Sequence, residues 1–508
     1  MSCVLVGEVK YTMSSLFREN SEERSDEISL SEEINEDEEK EEEETSATPN
    51  VPSYEAFSGH TNDKQCNRTM LPSENLDDVF SSIKFGRFHI KMMILTCHGY
   101  FAVCSEMMLI IFLTDPLKKE WNVPNMVYPW FLACGGVGGI LGGVVIGIVS
   151  DKYGRRIPFL ISVFILAVFA GIAPFVNSFP LFVFVRTLIS VGEGGLGALV
   201  YVQLLEFLPR KNRGSCLVTI TLSGTMGAVY ASAMAWWLLS QYGWRVFMGA
   251  CAIPTVIQIP VSLALIKESP RFLFVSGRKE AGIAVLKEMA RQNKTQLHTV
   301  DIDCPTSENR GRMCDLLKPA LRGRTLVISA IWLLQCIGYW GVTLFLPEYM
   351  HSVGMDPYLN TFSVFLAQIP GMFFAIINIE THMLGRIRCL RVFSFFTCLS
   401  LVLFAFIDDV AVKTVTVMVC YFFMVPVFSI LNTLTAEMYP TEIRTTALAF
   451  VSVLIGLPSL FTPFLSAGVL FSGVLWLYPL VWSACFLVQT FLTFFLYWET
   501  AGKKLDNH

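Results

Sequence analysis

The chain has 508 residues, 53% of them hydrophobic and 16% charged, with a mean hydropathy of +0.52. Soluble domains carry about 25% charged residues, so this composition argues against a soluble globular enzyme and for one large membrane body. The net charge of −5 hides a segregation: residues 1–80 hold 21 acids and 6 bases, while residues 81–508 hold 22 acids and 32 bases. An acidic tail thus precedes a basic body, and no basic domain suited to nucleic acid exists.

In chain order, residues 1–85 read as a disordered acidic tail, with an acidic run from Glu36 to Glu44 broken only by Lys40. Ser29 and Ser31, beside the acids, are phosphorylation candidates. A cytosolic trafficking adaptor is the partner such a tail could serve; the alternative is a solvated tail kept off an anionic membrane surface. The polar, then acidic, amino end gives no cleavable secretory signal.

Twelve apolar stretches follow, at about 90–113, 126–150, 157–176, 180–208, 215–241, 246–266, 325–346, 359–383, 387–407, 411–437, 445–471 and 474–498. A helix needs about 20 apolar residues to cross ~30 Å of hydrocarbon, and lipid leaves the backbone no partner but itself. The expected fold is an all-α membrane protein of twelve transmembrane helices in two six-helix bundles. Its parts are the tail 1–85, a first bundle 86–266, a central cytosolic segment 267–324 with short helices, a second bundle 325–498 and a cytosolic tail 499–508. With the amino end in the cytosol, 27 of the 32 bases after residue 80 fall on the cytosolic side, as the positive-inside rule requires. Sequons at Asn67 and Asn293 then lie in the cytosol and read as chance matches. Most of the fourteen cysteines, such as Cys97, Cys104, Cys134, Cys420 and Cys485, lie in apolar runs, where they act as small hydrophobes. No disulfide framework, metal site or cofactor is expected.

The loops contain a repeat. Gly147, Asp151, Gly154, Arg155 and Arg156 follow the second span, and Gly385-Arg386-Ile387 follows the eighth. Glu206-x-x-Pro209-x-x-x-Arg213 follows the fourth span, and Glu437-x-x-Pro440-x-x-x-Arg444 follows the tenth. Gly154 to Gly385, Glu206 to Glu437 and Arg213 to Arg444 all differ by 231 positions. A shared offset means two duplicated halves in parallel topology, with a site expected near the midplane between them.

Through these motifs the chain resembles the major facilitator superfamily. Arg186, Gly192-x-Gly194 and Glu268-Ser269-Pro270-Arg271 are similar to the sugar porter and organic ion branches. Phe85-Gly86-Arg87-Phe88, Glu106-Met107-Met108, Arg312-Met313-Cys314-Asp315-Leu316-Leu317 and Glu499-Thr500-Ala501-Gly502-Lys503 resemble synaptic vesicle glycoprotein 2 and the synaptic-vesicle-two-related proteins. The resemblance implies a secondary active or facilitative transporter of a small organic solute working by alternating access. It implies a synaptic or secretory vesicle membrane as the location, with the plasma membrane as the alternative. It also implies that the loop charges latch the halves together on the cytosolic side. The gating set is Gly147, Asp151, Gly154, Arg155, Arg156, Glu206, Arg213, Glu268, Arg271, Arg386, Glu437 and Arg444. In the second copy His382 replaces the Asp151 position and Asn378 the Gly147 position, so that latch is degraded. The same charges also serve as plain topology signals.

Ionisable residues inside spans are costly and usually face a cavity. Glu380 and His382 lie near a span end, which leaves Glu106, Arg186 and Glu193. At ~1.5 Å per residue, Glu106 and Arg186 sit at comparable depth and could pair, with Glu193 two turns beyond Arg186. In proton-coupled sugar porters a span-1 acid faces the span-4 arginine. The vesicle relatives carry that acid three residues before Glu-Met-Met, where this chain has Val103. Gln335 stands where sugar porters bind substrate, and Trp340 where they favour asparagine; the wider indole argues against an ordinary hexose. Tyr339, Gln368 and Asn432 complete the binding candidates. For each polar residue, helix–helix hydrogen bonding is an equal reading. The glycines of spans 2 and 4 read as close-packing positions. Two functions stay open: a transporter, or a non-transporting vesicle membrane protein that keeps the fold as a scaffold or regulator.

Overall fold

A computed structural model describes residues 74–208, 213–296, 302–303, 315–316, 318–319, 321–379, 385–439 and 441–496. Glu380, His382, the phosphorylation candidates, the acidic run, Arg312, Pro209, Pro440 and the terminal Glu499–Lys503 motif lie outside the described residues.

The described chain is almost wholly helical. Eleven helices are long and apolar enough to cross a membrane: Arg87–Phe112, Tyr128–Tyr153, Arg156–Phe175, Phe179–Leu205, Cys216–Tyr242, Trp244–Leu265, Arg322–Thr343, Gly385–Phe406, Val410–Thr435, Phe450–Leu470 and Leu477–Phe495. Between the seventh and eighth of these runs a further 23-residue helix, Pro357–Ile379, on the stretch expected as the eighth span. Numbered in chain order with it, these are spans 1 to 12. The spans form because their continuous apolar runs bury or present side chains on all faces, as lipid permits.

Spans 2 and 4 pack so closely that only glycine fits. A Cβ on Gly142 would run into the Val191 carbonyl oxygen, and one on Gly194 into the Gly139 carbonyl oxygen. The first and second sets of six spans meet along span 2 with span 11 and span 5 with span 8. At the first contact Gly136 faces Ser459 and Gly456 faces Ile140. Span 10 breaks at Val425 because Pro426 has no N–H to donate.

The expected disordered tail ends earlier than residue 85. Leu76–Ser82 is a helix, since Leu76, Val79, Phe80 and Ile83 form one apolar face and all are buried. Before it, Glu74–Asn75 pairs in parallel with Ile302–Asp303. After span 6 come the short helices Pro270–Val275 and Lys279–Asn293. The second is pinned to the start of span 1. Asn293 Oδ1 accepts from the Phe88 N–H at 2.9 Å, and its Nδ2 donates to the Lys84 carbonyl at 2.9 Å. Gly86 permits the approach, because a Cβ there would meet the Asn293 side chain at 2.7 Å.

Candidate functional site

The three ionisable residues of spans 1 and 4 come together in the interior. Arg186 Nη1 donates to Glu106 Oε2 at 2.9 Å, and Nη2 to the Glu106 backbone carbonyl at 3.2 Å. Glu193 Oε1 lies 3.6 Å from Arg186 Nη2, beyond hydrogen-bond length. All three are buried, and Glu106 Oε1, Arg186 Nε and Glu193 Oε1 have no hydrogen-bond partner. Arg186 is thus committed to Glu106 and only approaches Glu193. Val103 is buried one turn before Glu106.

The span-7 candidates divide. The Gln335 amide is fully engaged: Nε2 donates to the Met424 carbonyl at 2.9 Å, and Oε1 accepts from Gln489 Nε2 at 3.0 Å. The break in span 10 explains the first bond. The Phe428 N–H turns to Val425 rather than to Met424 four residues back, which frees the Met424 carbonyl for Gln335. Gln489 also donates to Ser394 Oγ at 3.0 Å. Tyr339 and Trp340 are half-buried and meet edge-on at 5.2 Å, and Tyr339 also contacts Phe428 at 5.3 Å. Gln368 is buried with an unpartnered Nε2, whereas Asn432 is exposed.

At the end of the bundle that carries the loop motifs, Arg155 is the hub. Nη1 reaches Asp151 Oδ1 at 2.7 Å and Nε reaches Glu206 Oε1 at 2.8 Å. Asp151 is 64% exposed, an ion pair worth ~0–1 kcal/mol. The corresponding Arg386 and Glu437 pair at 2.7 Å. Arg155 to Arg386 and Glu206 to Glu437 are each 231 positions, so one ion pair occurs twice at the repeat offset. Glu268 explains the Glu-Ser-Pro-Arg motif. Its carboxylate accepts from the backbone N–H of Arg155 at 2.7 Å and of Arg156 at 3.3 Å, capping span 3 at its positive end. Gly154, at φ +98°, leaves room for that carboxylate. Ser269 caps its own helix by accepting from the Phe272 N–H, Pro270 takes the first helical position, and Arg271 stacks on Phe80 at 4.9 Å. Gly147 has open space around it. The Arg156 side chain is exposed; those of Arg213 and Arg444 lie outside the described ones.

The family model of the Major Facilitator Superfamily matches residues 96–463. The chain belongs to this superfamily. It is 28% identical to the synaptic vesicle 2-related protein of Rattus norvegicus, over 85% of this chain and 82% of that protein. It is 24% identical to organic cation/carnitine transporter 7 of Arabidopsis thaliana, over 85% and 96%. Its fold is that of the xylose transporter XylE of E. coli in a partially occluded, inward-open conformation, with TM-score 0.66, 17% identity and coverage of 82% and 99%. As a major facilitator protein it is a multi-pass membrane transporter.

Opposite the motif-bearing end, this major facilitator chain holds a contact that motif reading missed. Lys118, on the short helix Thr114–Trp121, pairs at 2.8 Å with Glu348 on the short helix Leu346–Ser352. The ion pair joins the first six spans to the second six. Lys118 Nζ also lies 4.4 Å from the centre of the Phe471 ring. Burial pushes the Glu348 carboxyl above its usual range, with Lys118 pulling against it. A second pair at this end, Arg245–Glu120 at 2.7 Å, holds Glu120 below the usual range. Gln489 and Ser394 were also missed. The only sequence signal for Gln489 was a polar residue inside a span.

Proposed function

We propose that this chain is a secondary transporter, active or facilitative, of a small organic solute, an organic ion or a sugar-like molecule. It works by alternating access between two halves, 86–266 and 325–498, joined by the cytosolic segment 267–324. The observation that supports this most is the buried Glu106–Arg186–Glu193 cluster. Ionised groups in mid-membrane are expensive to keep and mark a pathway or a site; a passive scaffold gains nothing from three of them with unsatisfied atoms. The duplicated Arg155–Glu206 and Arg386–Glu437 pairs favour two equivalent rocking units. The Lys118–Glu348 link between halves favours a pose closed at its own end, which accords with the inward-open fold neighbour. Charge bias places the motif-bearing end and both termini in the cytosol. The vesicle 2-related relatives favour a synaptic or secretory vesicle membrane, with the plasma membrane as the alternative.

Counterflow in proteoliposomes over sugars, organic cations and carboxylates tests the reading. Saturable exchange of at least one class is expected. A folded, monodisperse protein that exchanges none of them would sink the transport reading and leave the scaffold.

A further inference from the structure

The buried cluster is not charge-balanced. Arg186 supplies one positive charge and stands between two carboxylates. No other described basic side chain pairs with either acid. The geometry says which acid is the surplus one. Glu106 receives two hydrogen bonds from Arg186, one on its side chain and one on its backbone, and is 1% exposed. Glu193 receives none from Arg186, keeps Oε1 unpartnered and is 7% exposed. An ionised carboxylate left so is strongly unfavourable away from water, and the bound partner that relieves it must bring positive charge.

Its surroundings define the shape of that partner. Tyr100 of span 1 and Tyr201 of span 4 meet edge-on at 5.1 Å, and both are half-buried. Cys104, one turn past Tyr100, interacts electrostatically with Glu193 and with Tyr339 of span 7. Tyr339 carries Trp340 against it. The carboxylate is therefore set among aromatic rings contributed by both halves. A ring face attracts a cation, most strongly when water is excluded, and offers nothing comparable to a second anion. A bare proton would neutralise Glu193 but would make no use of the rings.

We infer that Glu193 is the counter-ion for a monovalent organic cation, which binds between Glu193 and the Tyr100, Tyr201, Tyr339 and Trp340 rings, while Arg186 and Glu106 form the fixed pair that positions it. This rests on the transport reading for its place in a cycle, but binding is measured apart from flux. Radiolabelled tetraethylammonium is the probe, with the full chain in lipid nanodiscs for equilibrium binding and in proteoliposomes for counterflow. Wild type binds it saturably. Glu193→Gln weakens binding by about tenfold or more, the loss of one charge-assisted contact, and Glu193→Asp keeps most of it. Each variant is first checked for a monodisperse, folded peak, and Glu193→Asp carries the comparison if the glutamine variant does not fold: a measurable loss from shortening the acid supports the site, and unchanged affinity overturns it. Cation binding lost in Glu193→Gln with no counterflow in wild type leaves the site standing and removes transport. Counterflow of a neutral sugar indifferent to Glu193→Gln keeps transport and overturns the site. Wild type that binds no tetraethylammonium, with a neutral-solute flux whose pH dependence vanishes in Glu193→Gln, assigns the surplus charge to a proton and also overturns it.

Discussion

Arg186 holds the first half's interior together in an asymmetric way, and the asymmetry is measurable. Its guanidinium gives two of its donors to Glu106. Removing the arginine strands two buried carboxylates, and breaking a buried pair by deleting one partner typically costs 3–5 kcal/mol. Removing the charge of Glu106 as Glu106→Gln still leaves an oxygen for Arg186 and leaves Glu193 as its counter-charge. Arg186→Ala should therefore lower the melting temperature of the purified protein well below wild type, and Glu106→Gln should lower it much less. Equal losses would mean that Glu193 contributes no compensating charge. The depth of these residues was readable from span lengths alone, because helical rise fixes it. The engagement of Gln335 was not: its partner carbonyl is released only by the Pro426 break in span 10, and one helix's sequence does not say which distant helix loses a hydrogen bond.

Elements were legible where lipid leaves one solution and illegible where contacts between distant loops decide. All twelve apolar runs became helices within a few residues of the expected ends. The helix Leu76–Ser82 was hidden because its four apolar residues sit in a stretch whose composition is acidic and polar. Asn293 looked like a stray sequon, yet its side chain ties the helix Lys279–Asn293 to span 1. The glycines of spans 2 and 4 were read correctly as packing positions, and their neighbours now rank them. The atom in the way of a Cβ on Gly194 is the backbone oxygen of Gly139, which cannot swing aside, whereas a Cβ on Gly171 meets nothing within 4 Å. Gly194→Ala should force spans 2 and 4 apart and cost about 1–3 kcal/mol as overpacking does. Gly171→Ala should be neutral or stabilising by roughly 0.5–1 kcal/mol. Melting of the two variants in detergent reads the difference; matching values would show that spans 2 and 4 separate freely.

At the scale of the whole molecule, the two sets of six spans are joined at one end by Lys118 and Glu348, 230 positions apart in loops that no periodicity links. Burial raises the Glu348 carboxyl above its ordinary value in this pose. When that end opens and Glu348 meets water, the value returns to the usual carboxylate range. The closed pose then binds a proton more tightly than the open one. Acidification through the window between the raised and ordinary values favours closure, and that advantage is lost as pH rises through the raised value. The proposed orientation turns this end toward a vesicle lumen, where pH is the variable that changes. Spin labels attached at the exposed Lys119 and Ser352 should report a larger share of short distances at mildly acidic than at neutral pH. Glu348→Gln, which mimics the protonated carboxyl, should hold the short distance at both. Lys118→Ala leaves the carboxylate buried without its counter-charge, a cost of about 1–3 kcal/mol, so it should shift the neutral-pH population toward the long distance about 5- to 150-fold. A wild-type distance distribution that ignores pH would remove Glu348 as a sensor of the closed pose.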